Sequence, residues 1–398
     1  MTNPPPLKGI RVLDLSRVLA GPFCSMTLAD LGAEVIKVEM PGTGDDTRTY
    51  PPFIGSQSSY FMSTNRNKRS ITLDLKTKDG QEVLHRLAAR SDVVIENFRP
   101  GVTSRLAADY ETLRKLNPRL IYCSISSFGQ TGPYAERPGY DLIIQGMGGL
   151  MGITGEPNGP PVRIGVAITD LGAGMWATIA ILAALKARER DGEGQYLDIS
   201  MMDGSVAWMT YVAGNYFATG EAPPRMGSAH PSIVPYQAFV ASDGKSILLG
   251  GGNDRLFVAL CKGLGLPDLP KDPLYMGNEN RVNNRDTLIP LLEKRFRDRP
   301  RDDWIKELEA LGVPVAPVYT IDEIFADEQV RHRGMLVEIN HPELGSVKQI
   351  APAIKMSSTP CLIESPPPLL GQHTDEILRT LAGYGDEEIK SLRTRNII

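Results

Sequence analysis

Apolar positions in the first third of the chain come in short runs separated by longer mixed stretches. Ile10–Ser16 (IRVLDLS) and Val35–Glu39 (VIKVE) read as strands, as do Arg69–Leu75, Asp92–Phe98 and Arg119–Ser126. Each run is rich in valine, isoleucine or leucine and too short for a typical helix. Helical patterns lie between them. GPFCSMTLADLGAE follows the first run, and Asp79–Arg90 sets Val83, Leu84, Leu87 and Ala88 at helical spacing. Such alternation predicts βαβ units and a parallel sheet.

Further along, Gly146–Pro161 is rich in glycine and proline and reads as loop. A helix is expected from Leu171 to about Glu189, then a strand at GQYLDIS and a helix from Met201 to about Phe217. Ala218–Ser232 looks like a linker. A second unit near 235–325 carries the strand-like runs YQAFVA and SILLG and helical patterns at Asp254–Gly263 and Arg285–Leu311. The Pro366–Pro368 run precedes a last helical stretch from Thr374. The alternation is Rossmann-like, yet Gly21-Pro22 stands where GxGxxG would open a dinucleotide site, so a nicotinamide cofactor is not supported.

Composition narrows the classes. The chain has 398 residues, 41% hydrophobic and 23% charged, with a net charge of −4. A chain of this length accommodates two domains, and the acidic balance argues against nucleic acid as partner. The four cysteines are far apart and form no zinc-type cluster, so no metal is expected and a reduced, cytoplasmic chain is. The opening MTNPPPLKG shows neither a signal nor a transit pattern; a removed presequence would make the location mitochondrial. Ile164–Leu185 has the length of a membrane span, but Asp170, Gly172 and Gly174 interrupt it. It reads as the buried helix of an α/β protein, with no membrane as partner.

Asp170 is the lone ionisable residue between Arg163 and Lys186. Following the β-like run VAITD, it reads as an N-cap for the apolar helix. A second reading adds chemistry. Beside the small residues 172–174 a carboxylate is reachable by an acyl group, and desolvation makes it a better nucleophile. It would form a mixed anhydride, conserving the free energy of a thioester.

At this point a resemblance enters. The sequence resembles the family III CoA-transferases, the group that includes formyl-CoA:oxalate and carnitine CoA-transferases and α-methylacyl-CoA racemase. The likeness is carried by VLDLSRVLAGPFCSMTLADLGAEVIKVE (12–39), NRNKRSITLDLK (65–76), VIENFRPG (94–101), NPRLIYCSISSFGQTGPY (117–134), GYDLIIQGMGG (139–149), ITDLGAG (168–174), GQYLDISMMDG (194–204) and LLGQHTDEIL (369–378). It implies that Asp170 is the nucleophile and that coenzyme A or its thioester is a substrate, with no tightly bound cofactor. It implies CoA contacts at Val18, Leu19, Ala20, Leu73, Lys76, Asn97, Phe98 and Arg105, and a place for Met201 at the thioester end. Met40 falls where related chains carry an arginine, for which Arg48 or Arg17 is the expected replacement. Among early basic residues Arg66, Lys68, Arg69, Lys76, Arg99 and Arg105, two or three are expected to touch phosphate.

The racemase carries Gly-His-Asp where this chain has Gly139-Tyr140-Asp141. Tyrosine, with an ordinary pKa near 10, is a poor base at neutral pH, so Tyr140 is assigned to hydrogen-bonding a substrate oxygen or to packing. The glycine-rich flap of formyl-CoA transferases is missing. AHPSIVPYQAF followed by GGGNDRLF is closer to the succinyl-CoA:dicarboxylate branch. A dicarboxylate acceptor needs a cationic subsite, for which Arg163, Arg225 and His230 are candidates. The resemblance also implies an interlocked homodimer. The expected fold is α/β: a Rossmann-like parallel-sheet large domain (1–205), a linker (206–230), a smaller α+β domain (231–325), a second linker (326–345) and a return to the large domain (346–398). The rival functions are the racemase and a non-catalytic CoA-binding protein.

Overall fold

The structure, a computed structural model, describes residues 3–398; Met1 and Thr2 of the opening stretch lie outside the described residues. The chain divides into two compact units. One holds the residues through Leu150, Ile164–Gly214 and Gln329–Ile398; the other holds Met151–Arg163 and Asn215–Glu328.

The first unit is built on six strands: β1 (Arg11–Asp14), β2 (Glu34–Glu39), β3 (Lys68–Thr72), β4 (Val93–Glu96), β5 (Ile121–Ser126) and β6 (Tyr196–Ser200). Their order is β3-β2-β1-β4-β5-β6, and all neighbours run parallel. All four residues of β4 are buried, as are Val12, Leu13 and Asp14 of β1, which is why these strands read as continuous apolar runs.

One face of the sheet packs Leu13, Ile36, Ile71 and Val94 against Val83, Leu84 and Leu87 of α2 (Lys78–Ala88) and against the C-terminal Ile377, Ile389 and Leu392. The other face packs Val12, Val35, Ile95 and Ile125 against α1 (Ala20–Asp30) and α4 (Ile168–Asp191). Between α2 and α4 lies the short α3 (Asp141–Met147). Helices α1 and α4 press closely together. A Cβ on Gly174 would sit 2.7 Å from the Ala20 carbonyl oxygen, and one on Gly172 would sit 2.0 Å from the Trp208 ring. These small residues therefore serve helix packing. They do not open space for an acyl group, as the sequence had led us to expect.

Winding reverses between β1 and β4, because β1 lies between β2 and β4. In open parallel sheets the crevice beyond the strand carboxyl ends at such a reversal is where ligands bind. Here it is bounded by the β1–α1 turn and by the segment following β4.

The second unit carries an antiparallel sheet in the order β9-β8-β7, from β7 (Tyr236–Val240), β8 (Ser246–Gly250) and β9 (Val315–Pro317). Its core includes Phe239, Ile247, Phe257, Leu260, Phe296 and Trp304. Helices α7 (Asp254–Gly263), α8 (Arg285–Phe296) and α9 (Arg301–Ala310) complete it.

Several expected elements differ. Helix α4 starts at Ile168, with Ala167 as its N-cap, so Asp170 lies inside the first turn and is not the cap; VAITD is no strand. The single helix expected from Met201 is two, α5 (Met201–Ala207) and α6 (Thr210–Thr219), broken where Thr210 takes φ +34°. Residues 285–311 are also two helices, because Pro300 is extended and starts the second one. The stretch 206–230, read as linker, contains α6. The stretch 326–345 contains a short helix (Glu328–His332) and strand β10 (Leu336–His341), which pairs antiparallel with β11 (Gly345–Ile350).

Candidate active site

Two cavities lie in the crevice of the first unit, and both are lined by Arg17, Phe98 and Val102. The first, about 530 Å³, also takes in Leu73, Leu75, Lys76, Met40 and Arg105. The second, about 430 Å³, takes in Val18, Leu19, Ala20, Asn97, Tyr140, Asp170 and Met201. The candidates from the βαβ region and the lone aspartate thus converge from distant parts of the chain. Arg163 and His230 do not join them. Both lie in the second unit, and neither lines either cavity. His230 Nδ1 accepts from the Ser232 N–H at 3.0 Å, and its ring meets Tyr236 edge-on at 5.6 Å. Arg225 donates to the Gly159 carbonyl at 2.6 Å within that unit.

Asp170 is the third residue of α4 and half-buried. Burial, and then the negative charge of Asp141, push its carboxyl up to about 7. No Lys or Arg pairs with it among the described residues. Asp141 is fixed in turn. It accepts from the Thr169 N–H and hydroxyl, both at 2.9 Å, and from Gln145 Nε2 at 2.7 Å. These bonds tie the start of α3 to the first turn of α4, so the two carboxylates are held as neighbours by backbone. In Gly139-Tyr140-Asp141 the missing histidine is visible in the sequence, whereas the role of the aspartate depends on the fold that brings it to Thr169.

Glu96 shows that a raised carboxyl alone is not a site. Burial, opposed by its bonds to Ser124 and the Phe98 N–H, pushes it up to about 7 as well. Yet it is spoken for by Ser124 Oγ and by the Phe98 N–H at 2.8 Å, and it lines neither cavity.

The basic residues now separate. Arg66 is ion-paired to Asp30, Lys68 is buried against Asp14, and Arg69 pairs with Glu34 and Glu376. Lys76, Arg99 and Arg105 line the cavities and have no carboxylate partner among the described residues. Of the two replacements for the arginine missing at Met40, Arg48 is bound twice to Glu39 at 2.7 Å and stacks on Phe61 at 3.6 Å. Arg17 is exposed, borders both cavities and touches Asp46 at a loose 3.5 Å.

Tyr140 is 72% exposed, so it is not a packed aromatic in this chain. Met201 is buried at the start of α5. Asn97 spends its amide on the neighbouring turn, accepting from the Arg17 N–H at 2.8 Å and donating to the Arg17 carbonyl at 2.7 Å. Arg137, which no sequence pattern singles out, also lines the Asp170 cavity. Its guanidinium lies over Tyr134 at 4.5 Å, with no carboxylate partner among the described residues.

Such a constellation can hold a phosphorylated, partly apolar ligand along the first cavity and present a carboxylate nucleophile in the second. Comparison with known proteins gives the family. A family model described as CoA-transferase family III matches residues 7–374. Succinyl-CoA:glutarate CoA-transferase of Homo sapiens is 45% identical over 399 residues, 100% of this chain and 91% of that protein. Succinate–glutarate CoA-transferase of Agrobacterium fabrum is 44% identical, over 95% of this chain and 96% of that one. The crystal structure of a CAIB/BAIF family protein from Brucella suis superposes with a TM-score of 0.85 at 44% identity, over 95% of this chain and all of that one.

Proposed function

Since this chain belongs to CoA-transferase family III and is an acyl-CoA:carboxylate CoA-transferase, we propose that it moves CoA from succinyl-CoA to a dicarboxylic acid of the glutarate type. The observation that carries the reading is the half-buried, cation-free Asp170 in a cavity that shares its wall with the Lys76–Arg105 cavity.

The steps follow from that placement. The adenosine phosphates take Lys76, Arg105 and Arg17, and the pantetheine arm runs past Phe98 toward Asp170. The Asp170 carboxylate attacks the thioester carbonyl; the C–S bond breaks, giving an acyl-aspartyl anhydride and CoA thiolate. The thiolate attacks the aspartyl carbonyl and releases succinate, leaving an aspartyl-CoA thioester. Glutarate attacks that thioester and expels the thiolate, which then takes the new acyl group and frees Asp170. The nucleophile is held short of cations that would stabilise its resting charge, so it keeps its reactivity.

The distal carboxylate of the acceptor takes Arg137. We assign it there in place of Arg163 or His230, because Arg137 lines the cavity that contains Asp170.

A homodimer belongs to the same reading. Helix α4 leaves Met175 56% and Ile179 54% exposed, and Leu142, Ile143 and Val206 are exposed too. Exposed apolar side chains on a helix that otherwise packs in the core suit burial against a second copy of the chain. Gly139-Tyr140-Asp141, without histidine, speaks against the racemase. The experiment is CoA exchange from succinyl-CoA into a panel of dicarboxylates and monocarboxylates. Exchange favouring five-carbon diacids supports the proposal. Proton exchange at the α-carbon without any acceptor would replace it with the racemase.

A further inference from the structure

The turn of residues 15–19 between β1 and α1 borders both cavities, Leu15 and Arg17 at the first and Arg17, Val18 and Leu19 at the second, and buried side chains hold its backbone. Val18 takes φ +68°. For a β-branched residue this left-handed conformation is strained, and it persists only where surrounding groups over-determine it. Here they do. The Val18 N–H faces both oxygens of Asp45, at 3.2 and 3.3 Å. Asp45 is itself fixed by the Thr47 N–H at 3.0 Å, the Thr47 hydroxyl at 2.8 Å and Lys37 Nζ at 2.9 Å. Lys37 also reaches the turn directly, donating to the Ser16 carbonyl at 2.9 Å. On the far side Asn97 grips the Arg17 N–H and carbonyl.

Lys37 and Asp45 have fully buried side chains. Burial alone would discharge them. Asp45, Asp14 and Glu39 together outweigh it at Lys37, and Lys37 with the bonds from Thr47 outweighs it at Asp45, so both stay ionised. A core needs no such pair for stability, since well-packed apolar residues of similar volume serve as well or better. What this pair does, and an apolar pair could not, is present an acceptor to the Val18 N–H and a donor to the Ser16 carbonyl.

We propose that Asp45 and Lys37 are positioning residues for acyl-CoA. Together they impose the left-handed turn at Val18 and so shape the wall on which the thioester arm lies. The inference rests on the reading that these cavities hold acyl-CoA. Both residues border the first cavity, but their side chains are fully buried and lie away from Asp170, so they act through the backbone of residues 16–18.

Steady-state kinetics with succinyl-CoA and glutarate test it. In Asp45→Ala the KM for succinyl-CoA should rise about tenfold, while kcat and the KM for glutarate stay within about twofold. Loss of folded protein alone would lower kcat and leave both KM values in place. Glycine takes positive φ without strain. In a Val18→Gly background the same Asp45→Ala change should therefore raise the succinyl-CoA KM by less than about threefold. An equal rise in both backgrounds, or no rise in soluble Asp45→Ala, overturns the inference.

If stranding Lys37 prevents folding, Asp45→Asn combined with Lys37→Gln buries no lone charge, keeps a carbonyl beside the Val18 N–H and keeps an amide donor facing the Ser16 carbonyl. It should fold with a succinyl-CoA KM within about threefold of wild type. A tenfold rise there at unchanged melting temperature counts against the proposal. Wild type that fails to saturate with succinyl-CoA sinks the functional reading and this inference together. A wild type that saturates, with unshifted variants, sinks this inference alone.

Discussion

Asp45 and Asp170 flank the same β1–α1 turn, yet their surroundings treat them in opposite ways. Asp45 sits in a sealed cluster with Lys37, next to Asp14–Lys68 and Glu39–Arg48. Burial raises such acids, but the cations outweigh it, and Asp45, Asp14 and Glu39 all end below their ordinary range. Asp170 is less buried and has no cation to answer. Burial and Asp141 leave it at about 7. Depth of burial therefore does not set the two acids apart. What sets apart Asp170, the nucleophile we propose, is withdrawal from water without a compensating charge, at the wall of a cavity. The paired cluster fixes backbone; the unpaired acid stays available to bond.

The comparison can be broken in stages. Removing the unpaired acid should do most. Asp170→Ala is expected to lower exchange by at least about a thousandfold while binding CoA within about threefold of wild type, as read by turnover and calorimetry. Removing one partner of a sealed pair should act on folding. Lys68→Met takes from Asp14 the stronger of its two cations, leaving Lys37 and two hydroxyls, and is expected to cost about 3 kcal/mol in urea unfolding. A loss below about 1 kcal/mol would show the cluster is not the frame described.

Arg137 offers a smaller, more selective effect. Arg137→Met should raise the KM for glutarate about tenfold, the worth of one charge-assisted hydrogen bond. The KM for a monocarboxylate acceptor should move less than about twofold.

The smallest effect has the most telling sign. The folded pKa of Asp170 lies above its unfolded value near 3.9, so ionising it disfavours the fold. This penalty is absent at pH 4, grows as pH rises toward about 7 and is then complete. Asp170→Asn should therefore melt about 2–4 °C higher than wild type at pH 8, with the gap closing by pH 4. A paired acid such as Asp45 gives the reverse: its contribution is present at neutral pH and is lost only in strong acid.

Much of this was legible in the sequence, for identifiable reasons. The strands buried on both faces, such as Val93–Glu96, announced themselves as apolar runs, and Asp170 stood out against its apolar neighbours. What stayed hidden depends on contacts between distant segments. Nothing in the spacing says that Arg48 is consumed by Glu39 while Arg17 is left at the cavities, or that Asn97 holds Arg17. Asp170 looked like a cap because its helix begins at Ile168, three residues before the expected start at Leu171. Gly172 and Gly174 looked like room for substrate until Trp208 and Ala20 were seen against them. Arg137 sits in a polar loop, where an arginine carries no pattern at all.

The central claim is that Asp170 becomes covalently bonded during turnover. Incubation with succinyl-CoA, hydroxylamine trapping and peptide mass mapping test it directly. The account predicts a hydroxamate on Asp170, absent without succinyl-CoA and absent in Asp170→Asn. Sustained exchange with the label on another carboxylate, or with no label anywhere, would contradict it.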